Sequence, residues 1–175
     1  MIEVLVALFI IGFGLLGIAA FQTRLQTSEM EAYQRTQALI LLQDMVNRIN
    51  TNRAQANAYL TATPVGVGHT PAIDCSTAGT LAERDLCEWS HLLQGAAELA
   101  GTTRVGAMVG ARGCVAQTAG ITNEYRVTVV WQGLNAMSPP PASVTCGQNL
   151  YNGSGCTADR CRRFVTALVR IAPPN

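Results

Sequence analysis

The stretch MIEVLVALFIIGFGLLGIAAF (residues 1–21) decides how this chain is organised. Residues 4–21 form an uninterrupted apolar run, and Glu3 is the only charged side chain in the stretch. As an α-helix the run would rise about 27 Å, which is close to the roughly 30 Å of a bilayer's hydrocarbon core. We therefore predict a membrane-spanning helix at 1–21 and a separate domain at 22–175.

A cleaved signal peptide is the main alternative for an apolar N-terminal stretch. Such a peptide has a basic n-region, an apolar core of about 7 to 15 residues and a small-residue cleavage site. Here no basic residue precedes the run, an acid stands at position 3, and no A-x-A site closes the run before Arg24. The pattern favours an anchor that is retained.

The first helix is predicted to continue beyond the anchor, over residues 22–60. No Pro occurs before Pro64 and no Gly between Gly17 and Gly66, so nothing forces the helix to stop. Positions spaced by three and four residues form a stripe that would pack against a domain. That predicted stripe consists of Ala38, Leu42, Met45, Val46, Ile49, Arg53, Ala56 and Leu60.

The remaining sequence predicts an α+β domain. Residues 61–104 contain a Gly- and Pro-rich loop and a second helix at 81–100, with Leu86, Trp89 and Leu93 on one face. Residues 105–175 are rich in β-branched and aromatic residues, which favour strands. The predicted strands are 105–109, 113–117, 125–132 and 164–171, with a turn at 118–123 and a long excursion at 133–161. We expect an antiparallel sheet packed on the amphipathic half of the first helix.

Six cysteines lie outside the apolar stretch: Cys75, Cys87, Cys114, Cys146, Cys156 and Cys161. An even number of cysteines in an exported domain indicates disulfides. Many pairings are possible and the sequence does not choose among them. Pairing each cysteine with its neighbour along the chain would join 75 with 87, 114 with 146, and 156 with 161. The second of these bridges would hold the base of the excursion to the sheet.

Charge and motifs argue against several functions. The net charge is +1 and every basic residue is an arginine, so no strong field would draw the chain to nucleic acid. The cluster of Arg160, Arg162 and Arg163 is interpreted as a solvated patch, with DNA binding as the alternative. Cys87 and His91 lie one helical turn apart, but their spacing is not that of a zinc ribbon. The chain has no motif of a hydrolase or P-loop enzyme. We expect no enzymatic activity, cofactor or metal.

The N-terminal string Met1-Ile2-Glu3-Val4-Leu5-Val6-Ala7-Leu8 resembles the start of mature type IV pilins and type II secretion pseudopilins. In that class a basic leader is cut after a glycine, the new first residue is methylated, and a glutamate follows four positions later. Glu3 matches that glutamate. The leader, the glycine and the first two mature residues are missing here, so we expect the sequence to begin inside the mature protein.

The resemblance implies a pilin ladle fold and a role for Glu3 in filament assembly. A carboxylate at membrane depth costs about 3 kcal/mol unless paired, and its implied partner is the N-terminal amine of a neighbouring subunit. The alternative is an interfacial Glu near the bilayer surface. Gly12, Gly14 and Gly17 are interpreted either as close packing sites in the membrane or as points where the helix unwinds in a filament.

Weaker similarity along the rest of the chain, including the strand YRVTVVWQ at 125–132, is to minor pilins of the PilV family. It implies an inner-membrane protein with a periplasmic domain that enters the extracellular pilus. The implied partners are other minor pilins, the major pilin, the assembly platform, the prepilin peptidase and a large tip adhesin. A minor pseudopilin of a type II secretion system is the closest alternative, followed by a DNA-binding pilin.

Overall fold

A computed structural model describes residues 2–69, 74–95, 99–100, 103–104 and 108–172. The chain divides into two compact units, Met1–Tyr33 and Gln34–Asn175, and the boundary falls within the first helix, α1 (Ile2–Thr51). The first unit contains the apolar part of α1. The second contains the amphipathic part of α1 together with the other helices and strands.

The amphipathic part of α1 buries one stripe of side chains. Its buried residues are Gln34, Ala38, Leu42, Met45 and Ile49. Four of these belong to the predicted stripe, and Ala56 beyond the helix is buried as well. Arg53 and Leu60 are exposed, contrary to the prediction.

The stripe departs from the prediction because α1 ends at Thr51, and not near residue 60. Asn52 takes φ −111° and ψ 42°, outside the α-helical region. A 3₁₀ helix, Arg53–Tyr59, follows and brings Tyr59 into the core, where its side chain is fully buried. The Asn52 side-chain amide donates a hydrogen bond to the Tyr59 hydroxyl at 3.2 Å, which ties the break to the residue that it buries.

The second helix, α2 (Leu81–Leu93), begins as its sequence predicts and ends earlier. Thr80 and Glu83 form a capping box that fixes the first turn. Gly95 takes a positive φ of 80°, the left-handed conformation that commonly ends a helix. The predicted helix over 81–100 is therefore wrong beyond Gln94: residues 96–98 lie outside the described part, and Leu99–Ala100 form a short strand.

The main sheet is antiparallel and has four strands, which lie side by side in the order β1 (Val65–Gly66), β4 (Arg112–Gln117), β5 (Glu124–Gln132) and β6 (Arg162–Arg170). β1 lies within the predicted Gly- and Pro-rich loop and pairs with β4 at the edge of the sheet. A separate pair joins β2 (Leu99–Ala100) to β3 (Thr103–Arg104). Of the predicted strand at 105–109, residues 105–107 lie outside the described part and 108–109 are not in a strand.

The inner face of the sheet packs against α1 and α2 in the main core. Tyr125, Val127, Val129 and Trp131 alternate along β5 and belong to the same apolar cluster as the buried stripe of α1. Trp89 of α2 lies directly over Gly113 of β4, where a Cβ atom would overlap the indole ring. The chain is therefore an α+β protein with a long N-terminal helix and an antiparallel sheet, as predicted.

The outer face of the sheet is covered by the excursion at 133–161. Val130 of β5 packs there with Cys146 and Tyr151 in a second apolar cluster, against which Cys114 and Phe164 also pack. The Tyr151 hydroxyl donates to the carbonyl of Gly110 at 2.8 Å. This double coverage explains why β5 has almost no exposed side chain, although its sequence alternates only weakly.

Candidate functional site

The first unit has an entirely exposed apolar surface. Every residue from Ile2 to Gln26 is exposed, including large side chains such as Phe9, Phe13 and Leu16. An 18-residue window within α1 has a mean hydropathy of 2.8 and none of it is buried. Among the described residues, α1 is the one helix long and apolar enough to cross a membrane. Such a surface requires lipid or other apolar helices around it.

Glu3 lies in the first turn of α1, at one end of this surface. Its side chain is exposed and has no ion-pair partner among the residues that the structure describes. A carboxylate among apolar side chains is unfavourable in a membrane unless a cation or hydrogen-bond donor meets it. The described part of the chain does not supply that partner, so any partner has to come from outside it.

Gly12, Gly14 and Gly17 lie in the middle of the apolar surface, and α1 is continuous through all three. A Cβ atom at any of them would meet no described atom within 4 Å. Glycine costs about 1 kcal/mol relative to alanine inside a helix. No close contact among the described residues requires glycine at these three positions. Gly12 also opens a shallow groove between Leu8, Phe9 and Phe13.

In the second unit, an ionic cluster around Arg48 joins α1 to α2. The Arg48 guanidinium contacts Asp85 and Glu88 of α2 at 2.7 Å each, and Asp44 of its own helix at 2.9 Å. Tyr59 donates a hydrogen bond from its hydroxyl to Asp85. The Arg48 side chain is only 21% exposed, so its charge depends on these partners.

Electrostatics within the Arg48 cluster shift two ionisation equilibria in the same direction. Burial and the hydrogen bond to Asp85 raise the pKa of Tyr59 to about 12. Burial acts to lower the pKa of Arg48, but the hydrogen bonds that Arg48 donates to Glu88, Asp85 and Asp44 outweigh it and the pKa is raised. Both groups therefore keep their protons throughout the neutral range. The cluster orients the amphipathic half of α1 on the domain.

Comparison with known proteins gives one finding. A family model described as Tt1218-like, type IV pilin Tt1218, matches residues 20–91. The matched region holds the second half of α1, the 3₁₀ helix, β1 and most of α2. This match supports the type IV pilin superfamily. It covers less than half of the chain and stops before the three long strands. No curated protein and no solved structure matches the chain.

Pilin-superfamily proteins are structural components associated with pili, and the N-terminal features of this chain suit such a component. An apolar helix could hold the chain in a membrane, and its exposed side chains could equally pack against other helices. Glu3 and the three glycines stand on that helix and not on the domain. The residues that the sequence singles out for assembly thus belong to one element.

The six cysteines form three disulfides: Cys75–Cys87, Cys114–Cys146 and Cys156–Cys161. Each cysteine is thus joined to its neighbour along the chain. The donor atoms of Cys75, Cys87 and His91 lie within 4.8 Å of one another. However, both sulfurs are in a disulfide, whereas a zinc ligand has to be a thiolate. The backbone carbonyl oxygen of His69 accepts a hydrogen bond from the side-chain amide of Gln94 at 2.9 Å.

The interpretation of Arg160, Arg162 and Arg163 as a solvated patch is wrong in its central member. Arg162 is buried, donates to the carbonyls of Val144 and Cys146 at 2.7 Å each, and contacts Asp159 at 3.3 Å. Arg163 donates to the carbonyl of Asn135 at 2.7 Å and Arg160 to that of Met137 at 3.4 Å. Arg162 and Arg163, both on β6, therefore hold the excursion onto the sheet, whereas Arg160 joins two parts of the excursion.

Sequence reasoning missed the Arg48 cluster and the structural use of Arg162. Arg48 lies beside the buried stripe, where helical spacing assigns it to the solvent side. Its partners Asp85 and Glu88 are distant in the sequence and are brought to it by the packing of α2. Arg162 follows directly after a cysteine in a polar loop, and no local pattern marks it as buried. The one available signal was Asp159, three residues before Arg162.

Proposed function

We propose that this chain is a minor pilin that takes part in the assembly of a type IV pilus, most similar to the PilV family. In this proposal the apolar part of α1 is held in the bacterial inner membrane, with the domain in the periplasm. On assembly the same helix packs among the helices of other pilins in the filament. The proposed partners are other minor pilins, the major pilin, the inner-membrane assembly platform and a tip adhesin.

The observation that carries this proposal is Glu3 within the wholly exposed apolar part of α1, residues 2–26. An anchor needs only apolar side chains, and an acid among them raises the cost of insertion. That cost is offset if a neighbouring subunit presents a cation at the same depth. Glu3 would then select the docking position of the incoming subunit.

The direct test is Glu3→Ala in a precursor of native length. We expect incorporation into surface pili to fall severely while the membrane-bound pool of the protein is retained. Sheared pili and membranes are compared by immunoblotting, with Glu29→Ala as a matched control because Glu29 is an exposed acid on the same helix. Equal incorporation of the Glu3 variant and the control would refute an assembly role for Glu3.

A deletion strain separates the pilus from a secretion system. For a minor pilin, surface pili are lost or reduced while secreted enzymes remain at their normal level. A secretion defect with normal pili would instead identify a minor pseudopilin of a type II secretion system. Loss of transformation with normal pili would favour a DNA-binding pilin.

A further inference from the structure

A cleft lined by both polar and apolar side chains lies on the outer face of the main sheet. It has a volume of about 320 Å³, near the lower end for small-ligand sites. Its floor is formed by β4 and β5, and its walls by the chain after the 3₁₀ helix and by the excursion. The lining residues with polar side chains are Thr61, Thr63, Arg126, Thr128, Ser143 and Thr145.

Arg126 supplies the only charge among the residues that line the cleft. It lies on β5 between Ala116 of β4 and Leu168 of β6, and is partly buried. No atom of the described residues is hydrogen-bonded to its guanidinium group. Glu124 attracts it electrostatically but already forms an ion pair with Arg170. Arg126 thus has unused donors in a fork that matches a carboxylate.

The hydroxyl groups of the cleft fall into two sets. Thr61 accepts a hydrogen bond from the amide of Val115 at 3.1 Å, and the Thr128 hydroxyl lies 3.3 Å from that of Thr166. The hydroxyls of Thr63, Ser143 and Thr145, by contrast, have no hydrogen-bond partner within the described part of the chain. Each can both donate and accept, as a polyhydroxylated ligand requires.

The walls of the cleft are held rigidly. The disulfide Cys114–Cys146 forms part of the lining and joins the excursion to β4. Arg162 donates hydrogen bonds to the carbonyls of Val144 and Cys146 and so fixes this part of the excursion. Ser143 and Thr145 flank these anchored positions, so their hydroxyls are carried on a supported segment. A supported segment loses less entropy when a ligand binds.

We propose that this cleft binds a sugar acid, with the ligand's carboxylate on Arg126 and its hydroxyls on Thr63, Ser143 and Thr145. The guanidinium group favours a ligand with a carboxylate, because Arg binds a carboxylate through two parallel hydrogen bonds. The three hydroxyls without a partner favour a saccharide over a simple anion, because a saccharide has hydroxyl groups that can bond to them. This site would give the domain an affinity for acidic polysaccharide, independently of its role in assembly.

The test is isothermal titration calorimetry of the full chain in detergent micelles with glucuronate as the probe. Glucose serves as the neutral analogue and inorganic phosphate as the simple anion. We expect saturable binding of glucuronate that is at least about tenfold tighter than that of either analogue, since a hydrogen bond to a charged group is worth about an order of magnitude. No saturable binding, or phosphate binding as tight as glucuronate binding, would overturn the proposal.

Two variants locate the site. Arg126→Gln should weaken glucuronate binding at least about tenfold, whereas Arg84→Gln, which changes an exposed arginine of α2, should leave it unchanged. Thr145→Val alters an exposed wall residue with little risk to the fold, and should weaken binding severalfold. Circular dichroism checks that each variant is folded. If folded Arg126→Gln and Thr145→Val both bind as the parent does, the cleft is not the site.

Discussion

At the scale of single residues, Arg48 is a partly buried charge that joins α1 to α2. One guanidinium group meets three carboxylates from two helices, and Tyr59 completes the cluster. A partly buried ion pair of this kind adds little net stability, because desolvation offsets the attraction. Removing one member of the pair is costly, because the charge that remains loses its partner. Arg48 thus specifies how α2 is seated on α1.

Tyr59 should make the stability of the domain sensitive to high pH. Its pKa is raised to about 12 in the folded chain, against about 10 for an unfolded tyrosine. A raised pKa means that the stabilising contribution is complete below about pH 10 and is lost as the pH rises towards 12. We expect the free energy of unfolding to fall more steeply across this window in the parent than in Tyr59→Phe.

Urea denaturation at a series of pH values measures that difference. Tyr33→Phe is the control, because Tyr33 is an exposed tyrosine before the buried stripe. The control should follow the parent at every pH. Identical slopes for Tyr59→Phe and the parent would show that the Tyr59 proton makes no contribution.

Individual residues were predictable where a period determines them. Ala38, Leu42, Met45 and Ile49 follow the helical repeat, and all four are buried. Tyr59 was missed because it lies beyond the end of α1. That end depends on the backbone angles of Asn52, which the amino-acid sequence does not reveal. Arg126 could not be recognised as a candidate ligand-binding residue, because its neighbours in the cleft come from three distant segments.

At the scale of elements, α2 packs directly against β4 through Trp89. The Trp89 ring lies against Gly113, and its indole nitrogen donates to the carbonyl of Leu41 in α1 at 2.9 Å. A side chain at position 113 would push the ring away from both partners. The contact therefore needs glycine on the strand and a large aromatic residue on the helix.

Gly113→Ala should destabilise the domain by about 1–3 kcal/mol, the usual cost of overpacking a core. Gly153→Ala is the matched control, since a Cβ atom there meets no described atom within 4 Å and its φ is not left-handed. Urea denaturation in detergent gives both free energies of unfolding. A Gly113 variant as stable as the control would mean that Trp89 can move without loss.

Elements were more predictable by their existence than by their ends. The long strands β5 and β6 follow from runs of β-branched and aromatic residues, whereas β4 has Val115 as its one β-branched residue. Both helices end earlier than their apolar patterns suggest. α1 stops where burying Tyr59 requires a change of direction, and α2 stops at Gly95. Such ends depend on tertiary packing, which a local pattern does not contain.

At the scale of the whole molecule, the folded core lies entirely in the second unit. The buried residues of the main cluster begin at Ala38, and residues 2–26 are all exposed. The residues proposed to act in assembly, Glu3 and the three glycines, lie in the apolar part of α1, whereas the buried stripe lies in its amphipathic part.

A chain that begins at Glu29 should therefore fold without detergent. We expect its free energy of unfolding to match that of the full chain within about 0.5 kcal/mol, as for changes that touch no buried residue. A chain that begins at Asn47 is the contrasting variant, because it lacks Ala38, Leu42 and Met45. Urea denaturation followed by tryptophan fluorescence compares them. Aggregation of the chain from Glu29 would show that the domain needs the apolar half.

Besides the disulfide Cys114–Cys146 and the packing of Tyr151, the excursion is held through hydrogen bonds to its own backbone. Arg160, Arg162 and Arg163 bind carbonyl oxygens at Met137, Val144, Cys146 and Asn135. Every amino acid provides such an oxygen, so these attachments do not depend on which side chains the excursion carries. Substitutions at exposed positions of the excursion should therefore leave these attachments and the underlying sheet unchanged.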